Sequence, residues 1–401
     1  MGEDTRIDME PSMAEECAGR RARATAAAAE RGLGALLVWS RGGHARDRYA
    51  DVYYLAHHYM AFSHVVDNPP HWASTGHCAL VLPTDGEPAL LLPAANWRPD
   101  QVTVADVRVG ADLPRLVGDT LREKGVAHRP VGLVGADAMT LLSYQNLLRV
   151  LPGLALTPAD DILRGLRLVK SPRELAAVRR SGALGSRAVE AIMRAAVPGA
   201  TEAAAAAGAT AEIVAAGGAL YGFAFGSGPH SPLFSATPLT GYDAARPLRA
   251  GDLLHIDSVT ALDGYYCDVG RSGVVGGVAT SAQRDLLEIA MGGVQAVIAA
   301  IRPGMTAREA SAAGDRYIAE SGALARGYTE MADHWGHSIG LTWEAPWLMQ
   351  DDETPLQEGM VLAIEEGLSH PDVGFVCYED DLIVTATRAE VITTTPRMWW
   401  D

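Results

Sequence analysis

The sequence predicts an α/β domain over residues 1–163, followed by an α+β domain over residues 164–401 that is an internal duplication. Three observations carry this. The stretch from Pro247 to Asp257 recurs as the stretch from Pro355 to Glu365, 108 positions on and without a gap. Pro, Leu, Gly, Leu and Ile repeat in place, and each copy ends in a carboxylate. Upstream of each copy stands the same punctuation, Pro198-Gly199-Ala200-Thr201 and Pro303-Gly304-Met305-Thr306. These are helix-stop, helix-start signals, so each half reads helix, turn, helix, strand hairpin. Before residue 160, short apolar runs alternate with helical ones, which is the pattern of an α/β layer.

In chain order, residues 14–31 read as a helix rich in Ala, Arg and Glu, and residues 34–39 as a buried strand. Residues 79–82 and 89–92 flank a Pro83-to-Pro88 turn and form a hairpin. Residues 113–124 and 138–151 are helical, with the strand 131–134 between them. The segment between Arg41 and His77 is unusual. It concentrates Tyr49, Tyr53, Tyr54, Tyr59 and Trp72 with five histidines from His57 to His77, and reads as a loop that walls a pocket or meets another subunit. His57 and His58 are adjacent, so on an extended chain they would not face one metal. Ser171-Pro172-Arg173-Glu174 opens the second domain as a capping box with proline at the first helical position. Its helix extends to about Ala196, and further helices follow over 201–216, 280–301 and 306–322.

Composition narrows the function. The net charge is −16, with no basic stripe, which argues against a nucleic-acid partner. No apolar run is long enough to span a membrane, and the first residues are polar. Four cysteines without CxxC spacing read as reduced thiols, so the expected location is cytoplasmic. There is no GxSxG elbow, P-loop or Rossmann glycine fingerprint.

What remains is a set of carboxylates. A carboxylate at the end of a buried strand is costly unless something pairs with it. Each half holds two: Asp257 with Asp268, eleven residues on, and Glu365 with Glu379, fourteen residues on. Each pair belongs to an antiparallel hairpin, where facing side chains come close. His337, in Gly336-His337-Ser338-Ile339-Gly340, adds one imidazole. Four carboxylates and one histidine suit two divalent ions: Mn²⁺ first, or Fe²⁺, Co²⁺ or Zn²⁺. Two such ions about 3.5 Å apart hold a bridging hydroxide and polarise a carbonyl, so no side-chain nucleophile is needed.

The spacing Asp-x10-Asp, Gly-His-x-Ile-Gly, Glu, then Glu-Asp-Asp resembles the creatinase/prolidase/methionine-aminopeptidase family over residues 166–387. The first domain is similar, more weakly, to that family's creatinase-type N-terminal domain. The resemblance implies a pita-bread fold with a pseudo-twofold duplication, a homodimer, and Asp257, Asp268, His337, Glu365 and Glu379 as metal ligands. Asp268 and Glu379 would bridge the ions. Asp257 would complete one shell, and His337 with Glu365 the other.

The chain also departs from that pattern. Ser235 stands where the family carries a histidine before the first ligand strand, and His230 where asparagine is common. Glu344 occupies the place of a second histidine, and Glu366 follows Glu365 in place of proline. Glu365, His230, Glu344 and Asp333 are therefore the expected catalytic groups. Tyr265, Trp335, Trp343 and Ser235 are the expected substrate contacts, with Trp347 a further aromatic candidate. The expected function is metal-dependent hydrolysis of a C–N bond in a small substrate: an Xaa-Pro-like dipeptide, an N-acyl amino acid or a creatine-like compound. Two alternatives stand beside it. One is elimination, as in the dimethylsulfoniopropionate lyases of this fold; the other is a binding module without catalysis.

Overall fold

The computed structural model describes residues 11–43, 48–232 and 238–400. The chain divides into two compact units, the first ending at Arg167 and the second beginning at Leu168.

The first unit runs α1 (Met13–Glu30), β1 (Ala35–Arg41), α2 (Ala50–Ala56), β2 (His77–Pro83), β3 (Ala89–Leu92), β4 (Asp106–Val109), α3 (Leu113–Glu123), β5 (Val131–Val134), α4 (Leu141–Val150), β6 (Leu156–Pro158) and α5 (Asp160–Leu168). Its strands form one mixed sheet in the order β4-β3-β2-β1-β5-β6. The expected hairpin is present: β2 and β3 pair antiparallel, with Leu80 opposite Leu90. The central strands are buried along their length because apolar runs such as Ala35 to Trp39 have a covered face on each side. The Tyr/His-rich segment contains a helix, α2, that the aromatic pattern did not announce. The last helix, α5, begins before residue 163 and ends after it, so the expected boundary at 163/164 falls inside a helix.

The second unit runs α6 (Pro172–Ala195), α7 (Glu202–Ala215), β7 (Ala219–Ser227), β8 (Leu253–Leu262), β9 (Tyr265–Val274), α8 (Ser281–Ala300), α9 (Ala307–Ser321), β10 (Thr329–Glu330), β11 (His337–Ile339), β12 (Trp343–Trp347), β13 (Val361–His370), β14 (Gly374–Val384) and β15 (Ala389–Val391). Its strands form a sheet β7-β8-β9 and a sheet β12-β11-β13-β14-β15, with β10 also paired to β13. The capping box at α6 is closed in both directions between Ser171 and Glu174, as the sequence motif requires.

The duplication reaches down to single hydrogen bonds. In the first half, Gly199 N donates to Leu248 O at 2.9 Å and Leu248 N to Ala200 O at 2.7 Å. In the second, Gly304 N donates to Leu356 O and Leu356 N to Met305 O, both at 2.7 Å. Each turn thus ties the start of its second helix to the segment that feeds the ligand strand.

Each half buries one face of its hairpin under its own helix pair. Leu254, Ile256, Cys267 and Val269 pack with Ala188, Ile192 and Ala205 of α6 and α7. Leu362, Ile364, Val376 and Tyr378 pack with Leu287, Val294 and Ala310 of α8 and α9. Side chains alternate along a strand, so the residues between these face the other way. Asp257, Asp268, Glu365 and Glu379 are those residues.

Candidate metal centre

Hairpin register sets the first distances. Glu365 lies directly opposite Glu379. Asp268 lies opposite Val259, two residues from Asp257 on the same face, so the two aspartates are diagonal neighbours. Gly270, opposite Asp257, lets the two hairpins approach. A Cβ there would lie 3.1 Å from the Cβ of Glu379 and 3.3 Å from its amide nitrogen. Hydrogen bonds also join the hairpins: among them, Asp268 N donates to Asp381 Oδ2 at 3.0 Å, and the buried Arg271 donates from Nη1 to Glu379 O at 2.6 Å. Asp380 next to it is held by Arg271, Thr393 and Arg397, so the acidic Glu379-Asp380-Asp381 run splits by strand alternation into structural and site-facing members.

The histidine arrives on β11. Gly336, at φ +117°, makes this possible: a Cβ there would lie 2.0 Å from Ala363 O of β13. His337 Nε2 then sits 3.6 Å from Glu365 Oε1. Ligand atoms of Asp268, His337 and Glu379, all buried, lie within 4.8 Å of one another.

Burial pushes each of these carboxyls above its ordinary range, and the neighbouring negative charges push further for Asp268 and Glu379. Glu365 is pushed up to about 8 by burial and by Asp257. Burial lowers His337 to about 4. Asp257 Oδ1, Asp268 Oδ1 and Glu379 Oε1 are out of reach of solvent and accept no hydrogen bond. Orphaned carboxylate oxygens at one point, with an imidazole beside them, fit divalent cations: the positive charge removes both the repulsion and the unsatisfied lone pairs.

The other expected site residues separate. Trp343 belongs to the centre, but its Nε1 donates to Asp268 Oδ2 at 2.7 Å. Tyr265 is three residues from Asp268 and so on the opposite face of β9; its hydroxyl donates to Glu174 Oε1 at 3.0 Å. Trp335 is a core residue, packed where Gly293 and Gly314 leave room, with Nε1 donating to Asp315 Oδ1 at 2.8 Å. Glu344 lies opposite Ser338, and strand alternation turns it away from the His337 ring. His230 sits exposed in a 3-10 turn after β7, where its charged neighbours are Glu202 and Asp243. Asp333 is exposed and acts on the ring of His334. Ser235 lies outside the described residues.

His334 and Trp347 were not expected as a pair. His334 Nδ1 accepts from Gly336 N at 3.2 Å and lies 3.9 Å from Glu365 Oε1. Its neutral ring therefore carries its proton on Nε2. Trp347 packs on both histidine rings, with centroids 5.0 Å from His334 and 5.1 Å from His337. The visible signal was the His-Trp-Gly-His spacing.

Comparison with known proteins shows the family. Residues 20–169 match the creatinase/prolidase N-terminal domain, and residues 176–386 match metallopeptidase family M24. The probable dipeptidase PepE of Mycobacterium bovis is 32% identical over 333 residues, covering 79% of this chain and 84% of that protein. The Xaa-Pro dipeptidase of Pyrococcus horikoshii is 30% identical over 248 residues, a match that spans 59% of this chain and 66% of the curated relative's own length. Among solved structures, dipeptidase PepE from Mycobacterium ulcerans superposes with a TM-score of 0.75 at 29% identity, covering 98% of this chain and 99% of that one. With a creatinase/prolidase N-terminal domain before a duplicated, carboxylate-lined second unit, the chain belongs to metallopeptidase family M24.

Proposed function

We propose that the protein is a metal-dependent hydrolase that cleaves the C–N bond of a dipeptide-like substrate. The cluster of buried Asp268, His337 and Glu379, with the partly buried Glu365 and Asp257 beside it, carries the reading. The names of the relatives, Xaa-Pro dipeptidase and probable dipeptidase, support a short peptide as substrate. They leave the elimination and binding-module readings without support.

In this reading Asp257, Asp268, His337, Glu365 and Glu379 hold two divalent ions, with manganese the first to test. When bound, the ions supply Lewis acidity toward water and toward the scissile carbonyl. The protein does the rest. Glu365 is the cluster carboxylate nearest both histidines and keeps some exposure, 17% of its side chain. It takes the proton that attacking water gives up and returns it to the leaving nitrogen as the C–N bond breaks. His334 offers a donor at Nε2, and Trp347, 38% exposed, offers an apolar wall. His230 and Glu344 have no part in this scheme.

The same reading includes a cytoplasmic location, supported by four buried free cysteines. It also includes a homodimer, supported by exposed Phe62, Val65, Val66 and Trp72 in the Tyr/His-rich segment. Among the described residues, no helix is long and apolar enough to cross a membrane.

The test is elemental analysis of the purified chain beside Asp268→Ala and Glu379→Ala variants, followed by a dipeptide screen. About two ions per chain, lost in both variants, with release of free amino acids from Xaa-Pro or other dipeptides, is the expected result. An inert wild type after loading with Mn²⁺, Fe²⁺, Co²⁺ and Zn²⁺ in turn would overturn the reading.

A further inference from the structure

Trp343 stands in the segment where the chain departs from its family pattern, and its position is tightly defined. Its ring meets Tyr221 edge-on at 4.8 Å between centroids and Tyr266 at 5.8 Å. Tyr221 and Tyr266 are themselves 5.4 Å apart, so the three rings form one cluster. The edge of the cluster reaches His337, 6.3 Å from Trp343. Residue 343 is opposite Ile339 on the antiparallel neighbour of the His337 strand, so its orientation is coupled to the histidine's own strand.

Held this way, the indole spends its only polar group on Asp268 Oδ2. Asp268 is 3% exposed, and its other oxygen, Oδ1, has no partner. The residue is thus held at two points, through its backbone by Asp381 and through Oδ2 by Trp343, which leaves Oδ1 without a partner in a residue that clusters with His337 and Glu379. Glu379 likewise has one oxygen, Oε1, without a hydrogen-bond partner. An indole N–H can only donate, so residue 343 cannot carry a proton to or from a substrate.

We propose that Trp343 is a positioning residue for the metal centre: its N–H sets the rotation of the Asp268 carboxylate so that Oδ1 faces the cation position shared with His337 and Glu379. This rests on the metal-dependent reading above. Trp343, expected as a substrate contact, thereby has its one polar group engaged within the protein. Groups that orient a ligating side chain typically change metal affinity by about 10–100-fold when removed.

Two variants separate the N–H from the ring. Trp343→Phe keeps an aromatic ring between Tyr221 and Tyr266 but has no donor; Trp343→Gln keeps an N–H donor but loses the ring. Mn²⁺ and Co²⁺ binding are measured by calorimetry on metal-stripped protein, with Co²⁺ absorption reporting coordination and thermal melting of the stripped protein reporting packing. The expected result for Trp343→Phe is a Kd weakened about 10–100-fold and an altered Co²⁺ spectrum, at a nearly unchanged melting temperature. Trp343→Gln is expected to bind metal more tightly than Trp343→Phe while melting lower. Wild-type affinity in Trp343→Phe, or equal weakening in both variants, would overturn the role of the N–H and leave ring packing alone. Failure of the wild type to bind any metal would instead overturn the hydrolase reading, so the two failures are distinct.

Discussion

Among single residues, Glu366 follows Glu365 but has the opposite environment. Alternation turns it to the helix-covered face of β13, where it is 2% exposed. Its oxygens lie near the backbone amides of Met331 and Gly367 but accept no well-formed hydrogen bond. Glu330 of β10 pairs with Leu368, on the same face two residues along, and adds a second negative charge. A buried carboxylate without a partner costs more than the neutral amide of the same shape. Glu366→Gln is therefore expected to stabilise the chain by about 1–3 kcal/mol, read as a raised midpoint in chemical denaturation at neutral pH. A lowered midpoint would show that the charge is matched by a cation or a donor. His334 gives the complementary prediction at the front of the sheet. Its ring touches Glu365 and Trp347 but is not one of the five proposed ligands. His334→Ala is expected to lower kcat about 10²–10⁴-fold, as loss of a positioned donor does, while metal content stays at the wild-type level. A loss of metal in step with activity would make His334 part of the ion's shell instead.

Among the elements, the site depends on two hairpins meeting at a glycine. Gly270→Ala inserts a methyl group 3.1 Å from the Cβ of Glu379, and neither strand can move without its ladder. Overpacking of this kind costs about 1–3 kcal/mol, and here it also separates the two carboxylate pairs. The expected outcome is a lower melting temperature together with weaker Mn²⁺ binding; a chain that melts lower but binds metal normally would show that the strain is absorbed elsewhere. The hairpins were legible in the sequence because β8 and β13 are copies of one pattern, and register follows from alternation once one face is apolar. The same logic gave the four carboxylates a common face. Other elements carried no such signal. In β7 the glycines at 222 and 226 interrupt alternation, and only its pairing with β8 reveals it as a strand. Glu344 looked available for the pocket because its spacing after His337 matched a family position. The register shift between His337 and Ser338 decides which way it points, and a shift of that kind has no sequence signature. Tyr265 could have been rejected from the sequence alone, since an odd spacing from Asp268 places it on the other face.

In the whole molecule, two sets of groups respond to pH in opposite directions. The carboxyls of the proposed metal centre have folded-state values raised above their ordinary ones, Glu365 to about 8. The metal-free folded state holds protons that the unfolded chain has released. Stability from this source is present below the ordinary carboxyl range and is lost as pH rises through the folded values. Metal binding replaces those protons, so the stabilisation gained on adding Mn²⁺ is expected to be larger at pH 8 than at pH 5. Equal gains at the two values would place the ions away from these carboxylates. The buried histidines act the other way. His77 is lowered to about 3, by burial first and then by His64 and Arg41. Trp39 Nε1 donates to its Nδ1 at 2.8 Å, and its Nε2 lies 3.1 Å from His64 Nδ1. An indole can only donate, so His77 must keep Nδ1 unprotonated and carry its hydrogen on Nε2. Protonation would break the bond to Trp39 near the end of the β1–β2 pair. The unfolded chain takes up that proton near pH 6.5 and the folded chain only near 3, so stability falls as pH drops between the two values. The slope is about 1.4 kcal/mol per pH unit for one such group. His77→Gln leaves an acceptor for Trp39 and has no proton to gain. Denaturation midpoints followed from pH 7 to pH 4 on metal-free protein should show the variant losing less stability than the wild type, by about that slope. Parallel curves would mean that His77 already titrates in the folded state, with the Trp39 contact opening to admit the proton.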